Sequence, residues 1–588
     1  MPVIPFDGPF IGLNTRKESS KLSQGEAEFC ENVDLDRGTV KTRPGHAELE
    51  SISGLPLGAF DYRKSDGTVV QLVKIGAQLY SGALGSLATV TGAGSLSATN
   101  MAEFVGFNDR VYFADGASGL MVTDGTNAYA AQIARPTTKM TVATGSGSAV
   151  QRGDYDYKYT YYSTTWGQES PASPVSSVLT VGTNVHVVMD DWDVTTNDVR
   201  VDKFRIYRRD ISASETLWRH VKDIAIPATS ATEVTDTARD NDVSRTIIAP
   251  LSVANPVPAA VAHLTLQSGV MLAVEEDSNT VYYSLPARPW FMVNSIPVGS
   301  DKDADPVVAL FNHGGLAYAA KRQSLWVISG NTEDTIGSFL ISDEGGCYAA
   351  NSVVHGMDAT YWVGENTAWI FDGDKPREIS DPVEPEFSGR VYSRDPFLVG
   401  AYDYDCKAVV WSYTPAGQTT NTKQLVYFER NSKLNGTPSW AFWALGTIST
   451  LLRYTDATSK DRLFMYATSA GSLRKLAPDT DDAGTAVKIT WRTGKQDYGL
   501  PTKQKTFHDI DIEGAHSAAS ARLGVRYRID GSDIVHESGE FWDPKLRAVK
   551  RVHLGRRARD FRLEVYSTAG LVEVTGWSMT LDAAGRRL

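Results

Sequence analysis

The sequence predicts an all-β protein: a β-propeller that is interrupted by one β-sandwich and followed by another. The 588 residues include 50 Gly, 25 Tyr, 20 Phe and 13 Trp, and short aromatic or β-branched runs alternate with turn residues. A strand–turn–strand pattern with aromatic residues in its second strand recurs about every 40–50 residues, the spacing typical of propeller blades. Apolar periodicity of the helical kind is nearly absent.

The elements follow in order along the chain. A polar N-terminal segment is expected to form an extension with a small hairpin before the first blade. The blade pattern then runs in two stretches, which together would hold roughly six or seven blades. The predicted domains are the extension 1–54, the first blades 55–134, an inserted sandwich 135–256, the remaining blades 257–486 and a C-terminal sandwich 487–588.

The insertion is bounded by Arg135-Pro136 and Asn255-Pro256, both typical of linkers. Inside it Tyr155, Tyr157, Tyr159 and Tyr161 alternate strictly, which indicates a half-buried strand with one aromatic face. That face would be the core of a sandwich; the alternative is a platform on which sugars stack. The Tyr-rich strand, a Glu-Ser-Pro turn and the run 204–209 together resemble fibronectin type III-like domains common in phage structural proteins.

Charge is divided unevenly between the two ends of the chain. Residues 487–588 hold 18 Lys and Arg against 13 Asp and Glu, a net +5, whereas residues 1–486 are at −17. The basic patch could contact nucleic-acid phosphates, an acidic surface of a neighbouring subunit, or only solvent. It consists of Lys545, Arg547, Lys550, Arg551, Arg556, Arg557, Arg559 and Arg562.

No motif for nucleotide binding, zinc binding or serine hydrolysis is present, so no catalytic residue, cofactor or metal is predicted. Cys30, Cys347 and Cys406 are far apart and are expected to be buried, reduced thiols. The spacing of Asp301, Asp303 and Asp305 resembles a calcium loop, but Pro306 follows where such a loop needs glycine. We therefore predict that the protein is not an enzyme. The alternative is a glycosidase whose paired carboxylates come from different blades.

No apolar run approaches the roughly 18 residues of a membrane helix, and the start of the chain lacks a basic region followed by an apolar one. We expect no membrane span, no secretory signal and synthesis in a cytoplasm.

Two sets of motifs resemble propeller-bearing virion proteins of tailed phages. The first is the leader Gly12-Leu13-Asn14, Gly25-Glu26-Ala27, Asn32-Val33-Asp34-Leu35, Gly38 and Arg43-Pro44-Gly45. The second runs from Cys347 through Tyr361-Trp362 and Phe371-Asp372-Gly373 to Ile379-Ser380. The family in question is the tail nozzle, or tail-tubular-protein-B-like, and packaged-DNA stabilisation (hub) proteins of short-tailed bacteriophages.

This resemblance implies a structural protein of the virion tail. It would form a homohexameric ring below portal-adaptor proteins, extend the exit channel for double-stranded DNA and carry tail fibres or spikes at its side. The acidic bulk of the chain suits such a channel, because a negative lumen lets DNA slide. The alternative function is a glycan-binding or glycan-cleaving tail propeller.

Overall fold

The computed structural model describes residues 3–583, with short segments left out. The segments left out are 52, 84–85, 95, 196–197, 251–257, 301–304, 333, 456–460, 468–471, 478–480, 517–521 and 541–547. No helix within the described part is both long enough and apolar enough to cross a bilayer.

The predicted all-β class is confirmed, because strands dominate and helices are few and short. The α-helices are Glu384–Ser388 and Glu429–Asn435, and the 3-10 turns are Ser19–Lys21, Ala350–Ser352, Asp381–Val383 and Tyr392–Phe397. The chain forms two compact units. The first comprises 1–129, 258–287 and 295–588, and the second 130–257 with 288–294.

Seven blades of four antiparallel strands make up the propeller within the described residues; five are separate sheets, and blades 6 and 7 are parts of larger sheets. Their middle strands are continuous apolar runs, as in Val270–Glu275, because a blade is covered on both faces by its neighbours. Blade 1 consists of Pro56–Arg63, Val69–Ile75, Gln78–Ala83 and Ser86–Thr89, and blade 2 of Glu103–Phe107, Arg110–Ala114, Met121–Thr123 and Ala128–Ala130. Blade 3 consists of Val261–Gln267, Val270–Glu275, Thr280–Leu285 and Arg288–Pro297, and blade 4 of Val307–His313, Leu316–Lys321, Leu325–Ser329 and Gly337–Ser342.

Blades 5 to 7 complete the ring. The first strand of each blade contacts the first strand of the next, except that blade 4 meets blade 5 through the turn Ala350–Ser352. Blade 5 consists of Val354–His355, Thr360–Val363, Ala368–Phe371 and Arg377–Glu378, and blade 6 of Val399–Asp403, Ala408–Tyr413, Lys423–Phe428 and Trp440–Trp443. Blade 7 consists of Ile448–Thr455, Asp461–Ala467, Ser472–Ala477 and Gly45–Ser51.

Blade 7 is closed by a strand from the N-terminal segment. Gly45–Ser51 pairs antiparallel with Ser472–Ala477, so the two ends of the propeller sequence meet in one sheet. Such closure stabilises the ring, because blade 7 cannot separate from blade 1 without breaking this sheet. The segment 1–54, expected to be a separate extension, thus supplies the outermost strand of a blade.

Other leader residues join the C-terminal sandwich, whose two sheets include strands from both ends of the chain. One sheet contains Val3–Phe6, Val33–Asp34, Val40–Thr42, Val572–Ala583, Lys505–His516 and Ala548–Ala558. The other contains Gly12–Leu13, Glu26–Glu31, Ile489–Thr493, Phe561–Ala569, Arg522–Ile529 and His536–Glu540, and it continues into blade 6. Asp481–Asp482 and Thr485–Ala486 extend the sheet of blade 7.

Arg43 holds this joint together. Its guanidinium is fully buried and donates to both carboxylate oxygens of Asp482 at 3.0 and 2.6 Å. It also donates to the Asn32 side chain at 2.8 Å and to the Ala444 carbonyl at 3.0 Å. At Gly45 a Cβ atom would lie 1.8 Å from the carbonyl oxygen of Asp481, so no other residue fits there. The leader motif is therefore explained by packing.

The second unit is a β-sandwich. One sheet contains Thr141–Val150, Val185–Asp190 and Val234–Asp236; the other contains Gln168–Glu169, Gly153–Ser163, Lys203–Asp210 and Arg219–Ala225, with Leu179–Val181 beside Gly153–Ser163. The four alternating tyrosines, 155 to 161, are at most 3% exposed and lie in its core with Trp192 and Phe204. They therefore form the core and offer no sugar-stacking platform.

Candidate functional site

Four residues of the basic patch, Lys550, Arg551, Arg556 and Arg557, lie on an edge strand of the C-terminal sandwich, and Arg562 lies on a strand of its other sheet. Lys545 and Arg547 lie outside the described residues. Ala548–Ala558 pairs with Lys505–His516 on one side only. Lys550 and Arg551 lie on this strand, and Arg551 donates to Asp511 through two bonds of 2.8 and 2.9 Å, so part of the predicted charge is neutralised within the sheet.

The remaining patch residues differ in their surroundings. Arg556 contacts the Tyr527 hydroxyl at 3.2 Å, and Arg562 lies 3.5 Å from Glu28. Arg557 and Arg559 are exposed. Charged side chains on a sheet edge discourage pairing with another chain, which gives the patch a structural role whether or not it has a partner.

A second candidate site lies where the blades converge. Loops that enter the first strand of a blade and loops that join its second and third strands lie at the same end of the propeller, because the strands are antiparallel. These loops from several blades enclose a cavity of about 660 Å³, here called the mouth cavity. Polar and charged side chains face it, among them Asn100, Glu103, Asp115, His263, Glu276 and Arg322.

Glu103 and His263 join blades 2 and 3 at this cavity. Oε1 of Glu103 lies 2.8 Å from Nδ1 of His263, and Oε2 accepts the backbone N–H of Leu264 at 3.1 Å. Burial opposes a charge on His263, but the carboxylate of Glu103 and the nearby Glu276 outweigh it and raise the pKa of His263 above its ordinary value. The imidazole thus carries its charge to higher pH than an exposed histidine does.

Asp115 lines the cavity and forms a buried ion pair with Lys74. Both side chains are fully buried, with Nζ 3.4 Å from Oδ2. Lys74 donates to the carbonyls of Ser97 and Asn100 at 2.7 and 2.5 Å, while Asp115 accepts the Ser97 N–H at 2.7 Å. The pair therefore fixes the loop that precedes blade 2 and has little capacity left for a ligand.

Asp395, another residue of the cavity lining, forms a similar buried pair with Arg390. Two bonds of 2.8 Å connect the guanidinium to the carboxylate, and the guanidinium also lies 4.5 Å from the ring centre of Tyr392. Glu276 and Asp277, in contrast, are exposed at the rim. Among the described residues five carboxylates line the cavity, and these two are the most accessible to a bound molecule.

Analysis of the sequence did not single out these residues. Glu103 and His263 are 160 residues apart and belong to no local motif, because neighbouring blades here are separated by the inserted sandwich. Within the described part of the chain no group of three or more His, Cys, Asp or Glu side chains could hold a metal ion. The Asp301–Asp305 spacing lies mostly outside the described residues; Asp305 itself accepts the backbone N–H of Arg322 at 3.1 Å.

No protein-family description and no curated protein matches the chain. Among solved structures it is similar to the exo-β-1,3-galactanase of Phanerochaete chrysosporium with β-1,3-galactotriose, at 11% identity and a TM-score of 0.19, over 75% of this chain and all (100%) of that one. The same enzyme with galactose gives 10% identity and 0.19, over 72% and 100%. A further glycoside hydrolase gives 12% and 0.14, over 82% and 96%.

These similarities transfer neither a catalytic residue nor a substrate. They nevertheless correct one prediction. The prediction that the protein is not an enzyme is withdrawn: the three solved structures named above are glycoside hydrolases, so this fold gives no ground for excluding enzymatic activity. The mouth cavity brings acidic residues together from several blades, an arrangement that the absence of local catalytic motifs does not exclude.

Proposed function

We propose that this protein is a glycan-directed propeller that binds a saccharide in the mouth cavity. The observation that carries the proposal is the cavity itself: about 660 Å³ at the convergence of the blades, with hydrogen-bond donors and acceptors both facing it. Hydroxyl groups donate and accept, so a saccharide can satisfy His263 and Arg322 as well as Glu276 and Asp277. A ligand of a single charge would meet like charge on part of this lining.

The accessible carboxylates also suit cleavage. Hydrolysis of a glycosidic bond commonly uses two carboxyl groups, one to protonate the leaving oxygen and one to activate water or attack the sugar. Glu276 and Asp277 are exposed at the rim, while Asp115 and Asp395 are held by buried Lys74 and Arg390. The first two are therefore the residues to test for a catalytic role.

The test is a saccharide panel that includes purified bacterial capsule and lipopolysaccharide. Binding is measured by calorimetry and cleavage by release of reducing sugar. We expect at least one saccharide to bind, and the double variant Glu276→Gln, Asp277→Asn to lose binding or turnover by at least tenfold. The control, Asp374→Asn with Glu378→Gln, removes two exposed carboxylates of blade 5, beside the turn at the far end from the mouth. Equal loss in both variants, or no binder at all, would contradict the proposal.

A second proposal concerns where the protein works. The leader motif that resembles tail nozzle and hub proteins forms the joint between the closing strand of blade 7 and the C-terminal sandwich, around Arg43 and Gly45. The resemblance of this motif supports the proposal that the protein is a ring-forming component of a phage tail. The ring would be a homohexamer beneath portal-adaptor proteins, with fibres or spikes at its side.

In that setting double-stranded DNA would pass between copies of the chain. The space at the propeller's own axis measures only about 330 Å³, and its lining includes Phe60, Phe104 and Leu264 as well as polar residues such as Asn312. Negative-stain imaging and light scattering of the purified protein test the ring. Six-fold rings are expected; a monomer at every concentration would contradict this second proposal and leave the saccharide proposal intact.

A further inference from the structure

Among the residues that the structure describes, one hydrogen bond orients the side chain of His263. Its Nδ1 atom bonds to the Glu103 carboxylate, whose other oxygen is occupied by the N–H of Leu264. A carboxylate only accepts, so Nδ1 keeps its hydrogen in the neutral imidazole as well as in the charged one. Glu103 therefore fixes the tautomer of His263.

The opposite ring atom, Nε2, has no hydrogen-bond partner among the described residues, and the side chain lines the mouth cavity. With Nδ1 fixed as a donor, Nε2 alone changes character with pH. It donates when the ring is charged and accepts when the ring is neutral.

We propose that His263 is the proton-exchanging contact of the mouth cavity, with Glu103 as its positioning residue and Nε2 directed at a bound saccharide. This inference rests on the proposed function and goes further by assigning the contact that makes binding depend on protonation. If Nε2–H donates a hydrogen bond to the saccharide, binding is tighter below the pKa of His263. If a saccharide hydroxyl donates to Nε2, binding is tighter above that pKa.

The charges around His263 set where this change occurs. Glu103 faces it from blade 2 and Glu276 from the turn after the second strand of blade 3, and both favour the charged ring. Asp115, from blade 2, is compensated by buried Lys74. Arg322, from blade 4, lines the same cavity.

Diethyl pyrocarbonate, which acylates neutral imidazole nitrogen, tests the geometry without a saccharide. The initial rate at His263 is followed by peptide mass spectrometry between about pH 5 and pH 8. In the wild type we expect acylation with a midpoint above the ordinary histidine value of about 6.5. Glu103→Gln should lower that midpoint by about one unit or more and raise the rate near neutral pH on the order of threefold to tenfold.

Glu276→Gln should shift the midpoint in the same direction by less, and Glu378→Gln should not shift it. Exposed His553 serves as the internal reactive standard. If His263 stays unmodified while His553 reacts, Nε2 does not reach the cavity and the proposal fails. An unchanged midpoint in Glu103→Gln also overturns it. Circular dichroism of each variant confirms that the fold is kept.

A saccharide found by the panel then completes the test. It should slow acylation of His263, and its dissociation constant should change severalfold across the measured midpoint. A binder that gives neither protection nor pH dependence overturns this inference alone. Absence of any binder, with the acylation midpoints as expected, contradicts the proposed function while Glu103 still orients His263.

Discussion

Individual buried charges in this protein act on stability in opposite directions, depending on their partners. Arg43 and Lys74 are buried with carboxylates and carbonyls that satisfy them. Asp34 and Asp403 instead line a cavity of about 300 Å³ near the same joint, and burial raises the pKa of each to about 6. Their ionised forms therefore oppose folding at neutral pH, although Lys41 and Arg462 reduce the effect.

The sign of this pH dependence follows from linkage. The folded-state pKa of Asp403 lies above the unfolded value of about 3.9, so its favourable contribution is complete below about pH 4 and is lost as the pH rises through about 6. Asp403→Asn removes the ionisation, and the amide oxygen can still accept the N–H groups of Asp405 and Cys406. We expect the melting temperature to rise by a few degrees near neutral pH and to be unchanged near about pH 4.

Differential scanning calorimetry at the two pH values measures this. Asp381→Asn is the matched control, because its carboxylate is 70% exposed and its contact with Arg16 is a surface ion pair of little weight. A variant that melts lower than wild type near neutral pH would show that the Asp403 carboxylate is net stabilising.

At the scale of elements, the strand Gly45–Ser51 and the residues before it hold the propeller closed and connect it to the C-terminal sandwich. The joint depends on planar, multidentate contacts of Arg43 to Asp482, Asn32 and Ala444. Lysine presents a single ammonium and cannot reproduce them.

Arg43→Lys is therefore expected to destabilise the protein by about 3 kcal/mol, in the range for a broken buried pair. Limited proteolysis should then cut near the closing strand earlier than in wild type. Arg377→Lys, in an exposed pair with Asp372, is the control and should change little. Equal protease resistance in Arg43→Lys and wild type would mean that the strand pairing alone closes blade 7.

At the scale of the whole molecule, the inserted sandwich has its own aromatic core, built around Tyr157, Trp192 and Phe204. A unit with its own core is expected to be separable. Replacing residues 135–256 by a short Gly/Ser linker should leave a propeller that melts cooperatively, as followed by circular dichroism. If the remainder fails to fold, the insertion is required by the rest of the chain.

Assembly is the other property of the whole molecule. Exposed Arg556, Arg557 and Arg559 belong to a C-terminal region of net +5 in a chain whose first 486 residues are at −17, so another copy is the acidic partner most available. Each pair would contribute only about 0.2–1 kcal/mol, so assembly should weaken gradually with salt.

Changing these three arginines to glutamate should reduce ring assembly in light scattering while the monomer stays folded. Changing Lys64, Lys203 and Lys375, which lie outside the patch, to glutamate is the control of equal charge. Unchanged assembly together with loss of DNA retention would show that the patch binds phosphates and not a neighbouring subunit.

The sequence by itself determined the class of fold and most of the blade strands, because alternation and turn residues are local properties. Runs such as Val270–Glu275 and the four tyrosines of the insertion show directly which strands are buried. The leader motif was visible too, although its reason, the contacts around Arg43, was not.

Only the tertiary structure decided which distant segments meet. Gly45–Ser51 completes a blade whose other strands lie more than 400 residues later, and Glu103 meets His263 across 160 residues. Periodicity shows that a strand face is buried but not which segment covers it. Residue types in the sequence do not show which side chains from different blades come together. The mouth cavity therefore depended on the closed ring.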